Sequence, residues 1–266
     1  MLLKISHTTN YTYDSPVQYA LQQARLKPKS GGGQTVISWK MNLDGAEEQI
    51  SYNDEYNNHV VLLGVLAGRS DFAVNCEGEV ETTDNSGILG QHHGFAPLWH
   101  FQRSTPLTAA GPLVKALSNQ LGTDFSTDVE RFHALSNMIS SDVAYEIGTT
   151  DISTTAEAAL AGKCGVCQDH AHIFISCARH MGFPARYVSG YLMMDDRVEQ
   201  DATHAWAEVF FTGIGWVGFD VSNGISPDGR YVRVATGLDY QEAAPVSGLR
   251  FGNSNESMIV SIQVQQ

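Results

Sequence analysis

The chain has 266 residues, 42% hydrophobic and 17% charged, with a formal net charge of −13. That length suits one large domain or two ordinary ones, and the composition is that of a soluble globular protein. The acidic balance disfavours nucleic acid, whose phosphates call for clustered Lys and Arg, and gives no sign of attraction to an anionic membrane.

No apolar run reaches the ~18 residues of a membrane span. The first residues alternate polar and apolar and lack the apolar core of a signal peptide, so the expected location is cytoplasmic. Four cysteines, Cys76, Cys164, Cys167 and Cys177, do not suggest a disulfide framework in such a chain.

The first ~85 residues read as strands separated by turn clusters. Leu3, Ile5, His7 and Thr9 alternate with Lys4, Ser6, Thr8 and Asn10. Val36, Ser38 and Lys40 alternate with Ile37, Trp39 and Met41, and residues 58–63 and 72–76 are further short β-type runs. Ser30-Gly31-Gly32-Gly33, Asp44-Gly45 and Tyr56-Asn57-Asn58 separate them. The spacing predicts a sandwich or barrel-like β unit over residues 1–90. A polar, glycine-rich stretch at 82–94 marks its boundary.

A helical pattern then takes over, opening a core that spans 91–225. Pro112 starts one helix from its first turn. Thr127-Asp128-Val129-Glu130 reads as a capping box, followed at helical spacing by Phe132, Leu135 and Ile139. Thr154-Thr155-Ala156-Glu157 reads as a second box, and Gly162 and Gly165 break the helix after it. A third helix over 167–181 has Ala171, Phe174, Ala178 and Met181 on one face and ends at Gly182, ahead of Pro184. Strands return at 186–194, 204–211 and 216–221. Residues 226–266 read as an extension with one clear strand, 258–265, packing back on the protein.

Cys167 lies where the third helix begins. The unpaired N–H groups and positive end of a helix stabilise a thiolate, which is the nucleophilic form. Downstream, strand alternation puts His204, Trp206, Glu208 and Phe210 on one face. Matching the small apolar faces of strands 204–211 and 216–221 puts His204 and Asp220 on the same side, and the simplest such register, with a tight loop near 212–215, sets Asp220 opposite Trp206 and diagonal to His204, roughly 7–8 Å between backbones. A carboxylate and an imidazole can meet across that gap. Cys167 would attack an amide or ester carbonyl, His204 would move the proton, and Asp220 would hold His204. The Cys167 backbone N–H offers one oxyanion donor. Trp206 and Gln168 are placed in the substrate cleft.

Other readings stand beside these. Cys76 and Cys177 read as small buried hydrophobes. His170 is a rival base without an evident orienting carboxylate. Asp169 and His180 fit the two ends of the helix dipole. Asp220 could instead be a turn residue before Ser222-Asn223-Gly224. Cys164-x2-Cys167-x9-Cys177-x2-His180 resembles zinc spacing, but ten helical residues rise about 15 Å, too far for one ion. A redox Cys164–Cys167 pair is the third possibility, and it leaves His204 and Asp220 unexplained.

The motifs Gly165-Val166-Cys167-Gln168-Asp169, Gly182-Phe183-Pro184-Ala185-Arg186-Tyr187-Val188-Ser189-Gly190-Tyr191, His204-Ala205-Trp206-Ala207-Glu208-Val209 and Trp216-Val217-Gly218-Phe219-Asp220 together resemble the bacterial transglutaminase-like superfamily, described in part as cysteine proteases. The likeness covers about residues 125–225. His7-Thr8-Thr9-Asn10-Tyr11-Thr12-Tyr13, with Asp54 and Asn58, resembles more weakly the β-rich domain that precedes the core in bacterial members. The resemblance implies an α+β fold, a papain-like core of helices on an antiparallel sheet after an N-terminal β-rich domain, and a triad of Cys167, His204 and Asp220. One departure is His170, where an aromatic such as Phe is common. Members include crosslinking transferases, peptidases, amide hydrolases and inactive relatives.

The expectation is therefore a thiol enzyme acting on peptide or side-chain amides through a thioester, with a peptide or protein substrate and with no metal, cofactor, nucleic acid or membrane partner. Hydrolysis is favoured because water needs no dedicated acceptor site. Transfer to an amine and a non-catalytic interaction module are the alternatives. Oligomeric state is not legible.

Overall fold

In the computed structural model, residues 1–17, 19–251 and 255–266 are described. The first half is built of β1 (Leu2–Tyr13), β2 (Tyr19–Ala24), β3 (Gln34–Asp44), β4 (Ala46–Asn53), β5 (His59–Val65), β6 (Asp71–Thr82) and β7 (Ile88–Gly90). A 3-10 turn at Leu98–Gln102 leads to α1 (Pro112–Gln120), α2 (Asp128–Asp142), β8 (Ala144–Tyr145), α3 (Ala156–Gly162), β9 (Cys164–Gly165) and α4 (Cys167–His180). Then come β10 (Ala185–Leu192), β11 (Glu199–Gln200), β12 (His204–Phe211), β13 (Gly215–Phe219), β14 (Tyr231–Gly237), α5 (Tyr240–Ala243), β15 (Val246–Phe251) and β16 (Glu256–Gln265).

Three sheets carry the fold, in the orders β11-β16-β1-β6-β3, β15-β2-β5-β4 and β14-β10-β12-β13-β7. The first two face each other as a sandwich, and helices α1 to α4 cover the third. The protein is α+β, with a helix-on-antiparallel-sheet core after a β-rich region, as the resemblance implies.

β1 shows how the regions join. Its odd-numbered residues are buried from Leu3 to Tyr13, the period-2 pattern of a strand with one wet face. Tyr11 and Tyr13 pack inside the sandwich, whereas Leu3 and Ile5 pack against Tyr191, Val232 and Val234 of the core sheet. At the seam His7 is buried, bonded through Nδ1 to the Tyr191 hydroxyl (2.8 Å) and through Nε2 to Thr9 Oγ1 (3.0 Å). Burial lowers its pKa to about 4, so the ring is neutral.

The core sheet is buried on both faces. On one, Ala205, Ala207, Val209, Phe211, Val217 and Phe219 pack beneath α4 and α2. Phe132 sits among Phe183, Phe211 and Phe174 at ring distances of 4.9, 5.2 and 5.7 Å. α4 is buried nearly all round, from Asp169 to Arg179, rather than along one stripe. The opposite face turns toward the β sandwich and mixes apolar groups, Val188, Trp206 and Trp216 among them, with charged ones. Glu208 lies there at 0% exposure, with Arg186 and Arg233 beside it.

The sheet's outer strand, β14, meets side chains from the sandwich. Gln34 Oε1 accepts from Arg233 N and its Nε2 donates to Arg233 O, both at 2.8 Å. Asn58 does the same at Thr236, accepting from N (2.9 Å) and donating to O (2.8 Å).

Several expectations are corrected. β2 and β4 were not foreseen. A bulge between Val36 and Ser38 shifts β3 by one residue, so Val36 faces inward together with Trp39 and Met41 rather than opposite them. The α3 cap is Thr155, whose side chain accepts from Ala158 N, and not Thr154. Glu157 instead reaches α1, accepting from Leu113 N (2.7 Å) and Val114 N (3.1 Å) and so satisfying two of that helix's orphan donors. α3 ends on Lys163 at φ 57, not on a glycine. The boundary stretch contains β7, which joins the core sheet. Residues 226–266 hold three strands rather than one, spread over all three sheets.

Candidate active site

α4 begins at Cys167 because the chain before it is pinned. Val166 is extended, and its N–H donates to Asp169 Oδ2 at 2.8 Å. The same oxygen accepts from Thr150 Oγ1 at 2.7 Å, tying residues 150–151 to the start of the helix. Gly165 must be glycine here, since a Cβ would fall 2.7 Å from the Asp169 side chain. Asp169 thus does more than complement the dipole. Cys167, half-buried, is left at the first helical position, where amides have no intrahelical acceptor.

His204 opens β12 and is nearly buried. Its Nε2 meets Asp220 Oδ2 at 2.6 Å, which leaves Nδ1 as the ring nitrogen free to face the Cys167 thiol. Burial by itself would lower the His204 pKa. Hydrogen bonds with Asp220 and with Cys167, and the negative charge of both, reverse that and raise it to about 10.

Asp220 is 0% exposed. It directly follows β13, and the pairing of Ala207 with Phe219 continues to put it opposite Trp206. Oδ2 also accepts from Asn223 Nδ2 and from the Tyr231 hydroxyl, both at 2.7 Å, and Oδ1 accepts from Asn223 N at 3.2 Å. Burial would raise the carboxyl pKa, and these bonds with His204, Asn223 and Tyr231 bring it below the ordinary value. The segment 220–225 closes on itself, with Asp220 N donating to Ile225 O at 2.8 Å and the reverse bond at 3.2 Å.

Cys167, His204 and Asp220 are therefore brought together. Trp206 stands behind the imidazole rather than along an open cleft: it is 3% exposed, stacked at 6.2 Å on His204 and edge-on to Tyr231 at 5.4 Å. Gln168 is half-buried at the rim, its Nε2 3.4 Å from Asp151 O. His170 is occupied, Nδ1 with Ser222 Oγ (2.9 Å) and Nε2 with Val143 O (3.0 Å), and burial lowers its pKa. Cys164 lies on β9, paired with β8. Cys167, Cys177 and His180 are strung along one helix and do not converge. Cys76 and Cys177 are buried, which pushes their thiols up to about 12 and about 11.

Tyr231 and Asn223 escaped the sequence reading. Tyr231 begins β14, and Asp228-Gly229 followed by Tyr231-Val232-Arg233-Val234 carries the turn-then-strand pattern that signals it.

Residues 115–221 match the family model of the transglutaminase-like superfamily, and residues 3–81 match that of the bacterial transglutaminase-like N-terminal region. The uncharacterized protein Rv2569c of Mycobacterium tuberculosis is 29% identical over 289 residues, spanning 98% of this chain and 91% of that one. ML0607 of Mycobacterium leprae is 28% identical over 275 residues, 98% of each. A crystal structure from Cytophaga hutchinsonii, named a "putative cysteine protease", aligns with a TM-score of 0.77 at 24% identity, covering 100% of this chain and 91% of its own. That last likeness is one of fold.

Proposed function

Because the core of this chain belongs to the transglutaminase-like superfamily and its first β region to the bacterial transglutaminase-like N-terminal region, we propose that Cys167, His204 and Asp220 form the triad of a thiol enzyme that opens peptide or side-chain amide bonds. The observation that carries this reading is the position of His204, held by Asp220 on one ring nitrogen and turned toward Cys167 with the other.

With its pKa raised to about 10, His204 takes up the proton that Cys167 gives up. Cys167 Sγ attacks the carbonyl carbon, and the charge that develops on oxygen is met by the Cys167 backbone N–H. His204 gives its proton to the departing amine, leaving a thioester. His204, now neutral, takes a proton from water as the water attacks, and Sγ departs as thiolate. Asp220 keeps the ring oriented throughout, and Tyr231 and Asn223 keep Asp220. Water is the acceptor we favour, and a primary amine in its place gives transamidation.

Iodoacetamide labelling of the reduced protein at pH 6, read cysteine by cysteine by peptide mass, tests the site. Rapid labelling of Cys167 alone, slowed in His204→Ala, is expected. Slow labelling that is the same in both proteins would sink the triad. Casein incubated with and without a fluorescent primary amine then separates transfer, seen as incorporated fluorescence, from hydrolysis, seen as new amino termini or released ammonia.

A further inference from the structure

Behind the core sheet, away from Cys167, Lys29, Arg186 and Arg233 surround Glu208. Arg186 Nε lies 2.5 Å from Glu208 Oε2, and Arg233 Nη1 lies 3.5 Å from Oε1. Lys29 Nζ donates to Tyr56 O and Thr236 Oγ1, both at 2.9 Å. The Arg186 and Arg233 side chains are only 14% and 11% exposed and that of Glu208 1%. Two guanidiniums and the Lys29 amine face one carboxylate, so the cluster carries more positive than negative charge. Neighbouring acids are engaged elsewhere: Asp54 accepts from Asn58 and pairs with Arg25 at 3.7 Å, and Glu242 accepts from the Tyr56 hydroxyl and Leu238 N.

A buried charge without a counter-charge is expensive. The strain is visible at Lys29, whose pKa falls well below the ordinary value, first by burial and then by repulsion from Arg233 and Arg186. A partly open pocket of about 170 Å³ lies at this cluster, lined by all three cations with Gly31, Gly32 and Trp216. The Arg186 guanidinium lies over the Trp216 ring at 4.0 Å, which holds its plane, and its two Nη atoms have no hydrogen-bond partner among the described residues. Gly32, at φ 60, lets the chain pass close over Arg233, where a Cβ would sit 2.8 Å from Nη2.

We propose that this pocket binds a dianionic phosphate group, free or as the monoester end of a small molecule. The surplus positive charge attracts an anion, a phosphate beside Lys29 favours the protonated amine, and a planar guanidinium fixed by stacking presents the paired donors that phosphate oxygens accept. Because Lys29 and Gly32 come from the β region and Arg186, Trp216 and Arg233 from the core, the anion would also tie the two together. This inference does not rest on the thiol chemistry.

Calorimetric titration of the full chain with inorganic phosphate and with phenyl phosphate, at constant ionic strength, tests it. The Trp216 indole N–H resonance, a donor to His92 Nδ1 at 3.1 Å, serves as the local reporter. Saturable binding that shifts this resonance is expected, weakened roughly 10- to 100-fold by Arg186→Gln, the loss of one or two charge-assisted hydrogen bonds. Arg69→Gln, which removes an exposed cation in the sandwich, should leave binding unchanged. Tighter binding of phenyl phosphate identifies an ester, and tighter binding of phosphate identifies the free ion. Absence of saturable binding to wild type up to on the order of 10 mM, or equal binding of acetate, overturns the proposal whatever the variants do.

Discussion

The two faces of the core sheet are made of different material. The face under α4 is mostly small apolar residues and interlocking phenylalanines, held chiefly by packing. The face toward the sandwich sets Glu208, Arg186 and Arg233 among apolar groups such as Trp206 and Trp216, with the His204–Asp220 pair at its end, and adds hydrogen bonds and charge to the packing. Packing is tolerant of chemistry and intolerant of lost volume, and a polar network is the reverse. A single set of strands thus supplies rigidity on one side and poised ionisable groups on the other.

Substitutions should separate the two. The largest effect is expected at the polar end, from Asp220→Asn. Turnover should fall on the order of 10³- to 10⁴-fold, because the amide cannot hold the ring in the same protonation state. The pH dependence of stability should change with it. The His204 pKa is raised in the folded chain to about 10 from an ordinary 6.5, so its contribution is complete below 6.5 and is lost as pH rises through about 10. Denaturant titrations from pH 6 to 10.5 should show wild-type stability declining over that window, and a shallower decline in Asp220→Asn. An equal decline in both would place the linkage elsewhere.

Phe132→Ala, on the apolar face, should cost about 3–5 kcal/mol of unfolding free energy while leaving the pH profile of Cys167 labelling unchanged in whatever remains folded. A shifted profile would mean that the two faces are not separable. Smaller still, Tyr231→Phe removes one of the bonds to Asp220 and none of the volume. We expect roughly a tenfold loss in kcat, corresponding to about 1.4 kcal/mol, with little change in melting temperature. Glu157→Gln, far from either face, should weaken the cap on α1 by about 1 kcal/mol and leave activity alone.

The contrast also explains what the sequence disclosed. The apolar face is periodic: its parity set His204 and Asp220 on one side, and a tight loop near 212–215 set Asp220 opposite Trp206, the register seen. The position of Cys167 was legible because a helix start announces itself locally. The rest depended on partners far apart in the chain. Nothing near Tyr231 indicates that its hydroxyl ends on Asp220, and nothing near Glu157 indicates that it caps another helix. Lys29 and Arg233 are separated by some two hundred residues and meet only once the sandwich has docked. The bulge in β3 eluded alternation because one extra residue leaves no compositional trace.

The paired amides of Gln34 and Asn58 have a consequence for handling this protein. The bare margin of a sheet is a template on which another chain can grow. Here two side-chain amides imitate the next strand's peptide groups at Arg233 and Thr236, so the sheet is terminated without being extended. A core cut free of its β region would display that row uncovered, and we expect it to polymerise. The N-terminal β region is thereby a permanent chaperone for the core, carried in the same chain.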